Sequence, residues 1–243
     1  MNKIICIAGP TASGKTALAV EPAKELDGEV ASCDSMQVYR RMDIGTAKPT
    51  PEEMQGIRHH MLDVAELDED FSVSRYCAMA GPIVDDIVAR GKTAVIAGGT
   101  GLYMDSLIRG NDFAPFPSTG VREQLDAEAD SCGIQVLFDR LKSIDPDAAG
   151  KLHLSDRKRI IRALEVYLET GETITEHNRK TRLIPPRYTP IWLGLDFEYR
   201  ADLYGRIDAR VGMMLEAGLV EEIRSLLAYG IPEKCTAMQA IGY

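Results

Sequence analysis

No run in this chain approaches the ~20 apolar residues a membrane-spanning helix needs, which excludes a helical integral membrane protein. Cysteine is sparse: Cys6, Cys33, Cys77, Cys132 and Cys235 are odd in number, widely scattered and without a C-x-x-C pair. A zinc ribbon and a disulfide framework are therefore not expected, and a reducing cytoplasm fits best. Positive charge is in deficit, since the formal net charge is −9. That excludes a surface coated in basic patches but not a local one. Repeats and low-complexity tracts are absent, and the chain enters its first apolar run so early that no signal peptide is expected. What remains is 243 residues, 45% hydrophobic and 27% charged, which suits one soluble globular domain with room for an insertion.

Residues 9–16 read Gly-Pro-Thr-Ala-Ser-Gly-Lys-Thr, a complete G-x-x-x-x-G-K-[ST] phosphate loop. The apolar run Ile4-Ile5-Cys6-Ile7-Ala8 before it reads as a buried strand, and Ala17-Leu18-Ala19-Val20 after it opens a helix. In that context the loop's backbone N–H groups, from Gly9 and Thr11 through Ala12, Ser13 and Gly14 to Lys15 and Thr16, converge on phosphate oxygens. Lys15 adds a charge and Thr16 a hydroxyl that can ligate Mg²⁺. The motif specifies a diphosphate or triphosphate ligand, not a reaction.

Apolar runs at Lys3–Ala8, Glu29–Cys33, Thr93–Ala97 and Pro190–Leu195 alternate with helical patterns, which predicts an α/β fold. The expected core is a P-loop NTPase-like parallel sheet flanked by helices, formed by residues 1–117 and 187–243. Cys6 and Cys33 fall in strands and read as core residues. Pro22 lies inside the helix after the loop, where a kink or early stop is expected. Between Pro115-Phe116-Pro117 and Pro185-Pro186 no strand is convincing, and Val121–Ala129, Ile134–Ile144 and Asp156–Glu169 are helix-like. Residues 118–186 thus read as a small all-helical insertion. Helices over Arg200–Glu216 and Leu219–Tyr229 follow, the latter bounded by Gly218 and Gly230-Ile231-Pro232.

Asp34 ends the second strand, so it projects over the same crevice as the loop. Three roles are open to it: metal ligand, general base, or cap for the segment that follows. Thr100, in Gly98-Gly99-Thr100-Gly101, closes another strand. It can donate to a phosphate oxygen or simply sit in a strand-to-helix turn. Residues 151–187 hold nine basic and five acidic side chains, net +4, which leaves −13 for the rest of the chain. Such a segment faces a polyanion or is a solvated helix face.

Taken in order, 9–16, Asp-Ser-Met-Gln-Val-Tyr-Arg (34–40), Met-Asp-Ile-Gly-Thr-Ala-Lys-Pro (42–49), Gly-Gly-Thr-Gly-Leu-Tyr (98–103), Arg-Ala-Leu-Glu-Val-Tyr (162–167), Arg206-Ile207-Asp208-x-Arg210-Val211, Glu216-x-Gly218-Leu219 and Ala-Met-Gln-Ala-Ile-Gly-Tyr (237–243) form a longer signature. Over nearly its whole length the chain resembles the bacterial tRNA dimethylallyltransferases, also called tRNA isopentenyl transferases. The resemblance implies that the loop holds dimethylallyl diphosphate. The prenyl group would pass to the 6-amino nitrogen of the adenosine 3′ of a tRNA anticodon. It assigns catalysis to Asp34, Thr100, Lys15 and Arg206, with Arg210 the rival of Arg206, and places Mg²⁺ at Thr16. It places tRNA contacts at Asp34, Ser35, Met36, Gln37, Thr100 and Arg122. Lys158, Arg159, Ile160, Ile161 and Arg162 complete them, with the insertion gripping the anticodon stem-loop. Members of the family continue past the Ala-Ile-Gly-Tyr segment into further helical sequence, so full activity is not assured for a chain that stops at Tyr243. The expected partners are tRNA and the prenyl donor, with no membrane and with the chain acting as a monomer.

Other readings are a P-loop kinase of a small metabolite, prenylation of free AMP, ADP or ATP, and a nucleotide-binding switch without chemistry. The basic insertion favours tRNA over a small acceptor, and Asp34 with the Gly-Gly-Thr turn disfavours a pure switch.

Overall fold

The computed structural model describes residues 2–110, 119–231 and 235–243, with the backbone alone for Arg182. The expected Pro115-Phe116-Pro117 boundary and Pro232 lie outside the described residues. The chain divides into two compact units, one of Met1–Asp112 with Pro186–Tyr243 and one of Phe113–Pro185.

The first unit is built on five strands: β1 Asn2–Ala8, β2 Gly28–Ser32, β3 His59–His60, β4 Thr93–Gly98 and β5 Tyr188–Gly194. They form one sheet in the order β3-β2-β4-β1-β5. Every pairing is parallel. Its helices are α1 Lys15–Glu25, α2 Pro51–Met54, α3 Val73–Ala89, α4 Gly101–Arg109, α10 Arg200–Glu216 and α11 Leu219–Ala228. This is the expected α/β class. Side chains alternate across a strand, and β1 shows it plainly. Ile4 and Cys6 join one core with Tyr76, Val84 and Leu107 of α3 and α4. Ile5 and Ile7 join another with Ala19 and Ala23 of α1. Cys6 and Cys33 are fully buried, and burial pushes both thiols up to about 12.

Pro22 does not end α1, which runs three residues further to Glu25. A proline in the last turn forfeits one backbone hydrogen bond, and the Leu26 N–H closes the helix on the Pro22 carbonyl at 3.1 Å.

The second unit is all helical: α5 Val121–Cys132, α6 Ile134–Ile144, α7 Pro146–Ala149, α8 Arg157–Thr170 and α9 Ile174–Leu183. Leu125, Leu137, Leu141, Ile160, Ile161 and Leu164 make its core. Asp145 caps α7 through the Ala148 N–H at 3.0 Å and ties in α9 by accepting from the Thr175 hydroxyl at 2.7 Å. Burial opposes its charge, but the Thr175 and Ala148 donors together hold the carboxyl below its ordinary range.

Candidate active site

The sheet order explains how the site assembles. β4 lies between β1 and β2, so the three strands end side by side. Because all run parallel, the loops leaving their C-terminal ends open onto one crevice. Those loops are residues 9–14, 33–37 and 98–101.

Phosphate loop and helix start meet at Gly14, which takes φ 87° in the left-handed region that glycine tolerates. A Cβ on Gly9 would lie 2.8 Å from the Leu195 carbonyl oxygen, so that position also needs glycine. Lys15 Nζ donates to the carbonyls of Gly9 at 2.9 Å and Pro10 at 2.6 Å, folding back over the loop. Ser13 Oγ is buried with no hydrogen-bond partner among the described residues. A buried hydroxyl left without a partner inside a phosphate-loop motif fits a cradle for an anion.

Asp34 caps its own turn. Its Oδ1 accepts the N–H of Met36 at 2.9 Å and of Gln37 at 3.3 Å, which aims the carboxylate. Thr100 sits across from it. Its Oγ1 accepts the Ser35 N–H at 3.0 Å and donates to Ser35 Oγ at 3.3 Å. The crossing is close: a Cβ on Gly98 would collide with the Cys33 carbonyl.

Burial lowers the Lys15 ammonium below its ordinary value; Asp34 opposes the shift and Arg210 adds to it. Lys15, Asp34 and Arg210 therefore share one electrostatic neighbourhood. Arg206 is exposed, with its guanidinium 5.7 Å from the centre of the Phe197 ring. Of Arg206 and Arg210, Arg210 is the one whose charge acts on the loop lysine.

Gln37 is engaged at both ends. Its Oε1 accepts from Ser32 Oγ at 2.9 Å, and its Nε2 donates to the carbonyls of Thr46 and Ala47 at 3.2 and 3.0 Å. Lys48 secures the same loop, donating to the Tyr39 carbonyl at 2.9 Å and to Asp63 at 2.6 Å. The Met-Asp-Ile-Gly-Thr-Ala-Lys-Pro stretch pointed to this loop without revealing what anchors it.

Within the helical unit a cavity of about 470 Å³ has a mixed lining, with Arg122, Lys151, Lys158, Arg159 and Arg162 set among apolar residues such as Leu152 and Ile174, and no acid lines it. Glu165, almost buried, holds Arg162 at 2.7 Å and Arg122 at 3.7 Å. Ile160 and Ile161 are 0% and 2% exposed. Their side chains belong to the core, so a surface contact in this segment comes from Lys158, Arg159 and Arg162. Arg157 is spoken for by Asp126 and Asp130.

Among the described residues no cluster of three or more His, Cys, Asp or Glu could hold a metal. A Mg²⁺ ion here would have to be shared between Thr16, water and the oxygens of a bound diphosphate, which is how Mg²⁺ commonly sits beside phosphates. The donor set fits that role. No described helix is long and apolar enough to cross a membrane.

Sheet order, phosphate loop and strand-end carboxylate define a P-loop α/β protein. The IPP transferase family model matches residues 37–243. A tRNA dimethylallyltransferase from Thermoanaerobacter pseudethanolicus is 50% identical over 243 residues, 99% of this chain and 77% of the relative. One from Geobacter sulfurreducens is 45% identical, over 100% of this chain and 78% of the relative. Among solved structures, the full-length tRNA isopentenylpyrophosphate transferase of Bacillus halodurans matches with TM-score 0.68 and 42% identity, over 100% of this chain and 75% of that one. A eukaryotic dimethylallyltransferase acting on tRNA matches with TM-score 0.85 and 33% identity, over 100% of this chain and 62% of that one. The chain belongs to the IPP transferase family.

Proposed function

We propose that this chain transfers a dimethylallyl group from dimethylallyl diphosphate to the 6-amino nitrogen of the adenosine 3′ of a tRNA anticodon. The observation that carries this reading is that the phosphate loop and the carboxylate of Asp34 lie beyond the same end of one sheet, on strands flanking β4, with Asp34 acting on the charge of Lys15, in a chain with the relatives just named.

The chemistry follows from the residues. An exocyclic adenine amine is a weak nucleophile, because its lone pair is delocalised into the ring. It needs a base placed to remove a proton as the new C–N bond forms. Both hydrogen bonds to Asp34 fall on Oδ1, which leaves Oδ2 to take that proton. As the C–O bond to the donor breaks, negative charge grows on the departing diphosphate. The amides of residues 12–16, the Ser13 hydroxyl and Lys15 would stabilise it. Mg²⁺ at Thr16, when bound, would neutralise part of the same charge. Arg210 or Arg206 would face the far phosphate. Thr100 would hold an oxygen on the bridging side. The acceptor adenosine must leave its stack to reach the crevice. Asp34, Ser35, Met36 and Gln37 form the wall it would meet. The cationic cavity of the helical unit is suited to the phosphates of the anticodon stem-loop. The reading places the chain in the cytoplasm, acting as a monomer.

The test is to incubate the chain with labelled dimethylallyl diphosphate, Mg²⁺ and unmodified tRNA, with AMP and ATP as rival acceptors. Label on tRNA supports the reading, and label on AMP or ATP alone would replace it. Raising the salt concentration should weaken tRNA binding steeply and diphosphate binding less.

A further inference from the structure

Glu222 lies in α11, far along the chain from the loop of residues 42–48, yet its carboxylate closes on that loop. Its Oε2 accepts the N–H of Asp43 at 2.9 Å and of Ile44 at 2.8 Å, and its Oε1 accepts the N–H of Gly45 at 3.1 Å. Three successive backbone donors converging on one anion form a nest, with each bond charge-assisted.

Tyr243 completes the clamp. Its hydroxyl donates to Glu222 Oε1 and accepts from the Gly45 N–H at 3.0 Å. Burial and the neighbouring carboxylate both raise the phenol above its ordinary value, so it stays a donor. The ring also explains a glycine, because a Cβ on Gly45 would overlap it.

The loop has no strand or long helix to stiffen it, so these contacts, together with those of Lys48, fix it. Its next two carbonyls, of Thr46 and Ala47, are the ones that Gln37 Nε2 grips. A continuous path of hydrogen bonds thus runs from Glu222 through residues 43–45 and 46–47 to Gln37, which belongs to the Asp34–Gln37 wall.

We propose that Glu222, with Tyr243 as its brace, is a positioning residue for the acceptor side of the site. It sets the wall that receives the tRNA base and leaves the phosphate loop alone. The inference rests on the proposed tRNA reading. The donor loop is held separately by β1 and α1, so loss of Glu222 should divide the kinetics by substrate.

Steady-state kinetics of the full chain, Glu222→Ala and Glu222→Gln, with an anticodon stem-loop RNA and dimethylallyl diphosphate, test this. Loss of the carboxylate should cut kcat/KM for RNA by about tenfold or more, the scale of one charged hydrogen-bond set. KM for the prenyl donor should stay within about twofold. Glu222→Gln, which keeps one acceptor oxygen, should fall between. Hydrogen exchange should show amides 43–45 losing protection in Glu222→Ala while the sheet keeps its own. If Glu222→Ala does not fold, Gly45→Ala substitutes for it. That change should lower RNA turnover, and adding Tyr243→Ala should restore part of it. Equal losses for both substrates, unchanged RNA kinetics, or no recovery in the double variant would overturn the inference. An unmutated chain that makes no prenylated RNA would overturn the tRNA reading and the inference with it. An active unmutated chain matched by Glu222→Ala would overturn the inference alone.

Discussion

The two ends of β2 treat their charges in opposite ways. At its start, Glu29 is nearly buried and fully answered. Arg90 grips it with two nitrogens, at 2.5 and 2.9 Å, and His60 Nε2 lies 2.7 Å away. The Arg90 guanidinium, aided by His60, outweighs burial and holds the Glu29 carboxyl at about 2 instead of 4.5. Beyond the other end, Asp34 keeps one oxygen clear, Ser13 has no partner among the described residues, and Lys15 is held partly out of water against the carbonyls of its own loop. The satisfied end stabilises the sheet. The unsatisfied end waits for a ligand to complete it, as active sites commonly do.

The largest expected effect breaks the unsatisfied end. Asp34→Asn keeps an oxygen to cap Met36 and Gln37 but cannot take a proton. Turnover should fall by about a hundredfold or more while diphosphate binding holds. Single-turnover assay and calorimetry separate the two, and equal losses would remove Asp34 from the role of base.

Next comes the satisfied end. Glu29→Gln should cost about 2–3 kcal/mol of stability at neutral pH, read from urea unfolding, and leave kcat unchanged. The sign follows from the depressed value. The Glu29 contribution is complete above about 4.5 and is lost as pH falls toward about 2. The variant should therefore lack that limb of the acid-unfolding profile. If wild type and variant lose stability in parallel below pH 4.5, the pairing is not what supports the sheet.

Smallest of all is Ser13→Ala. Removing a buried hydroxyl with no partner should leave stability within about 0.5 kcal/mol or raise it slightly, and should weaken diphosphate binding by a few-fold. A marked drop in the melting temperature would mean that the hydroxyl has a structural partner after all.

The sequence made the satisfied and unsatisfied ends unequally legible. The phosphate loop and Asp34 announced themselves by local spacing, as did helices with a clear apolar stripe, such as Ile134–Ile144 and Arg157–Thr170. β3 escaped notice because it is two residues long, and α9 because Ile-Thr-Glu-His-Asn-Arg-Lys-Thr-Arg-Leu has only Ile174 and Leu183 to mark an apolar face. Asp34 proved to be a cap by geometry, which spacing had left level with two other roles. The anchoring contacts of Gln37 and Glu222 were opaque for a deeper reason. Most of their partners are backbone carbonyls and amides, which no residue type marks, and for Glu222 those amides are distant in sequence.

The strand order has one more consequence, in time rather than space. β1 pairs with β4 on one side and β5 on the other, and neither is near it in the chain. At about 5–20 residues per second, β4 leaves the ribosome on the order of ten seconds after β1. Through that interval the Ile-Ile-Cys-Ile run has both hydrogen-bonding edges open, an invitation to pair with a neighbouring nascent chain. The arrangement that gathers three strand ends around the phosphate loop thus also makes β1 the strand that waits longest for its first partner during synthesis.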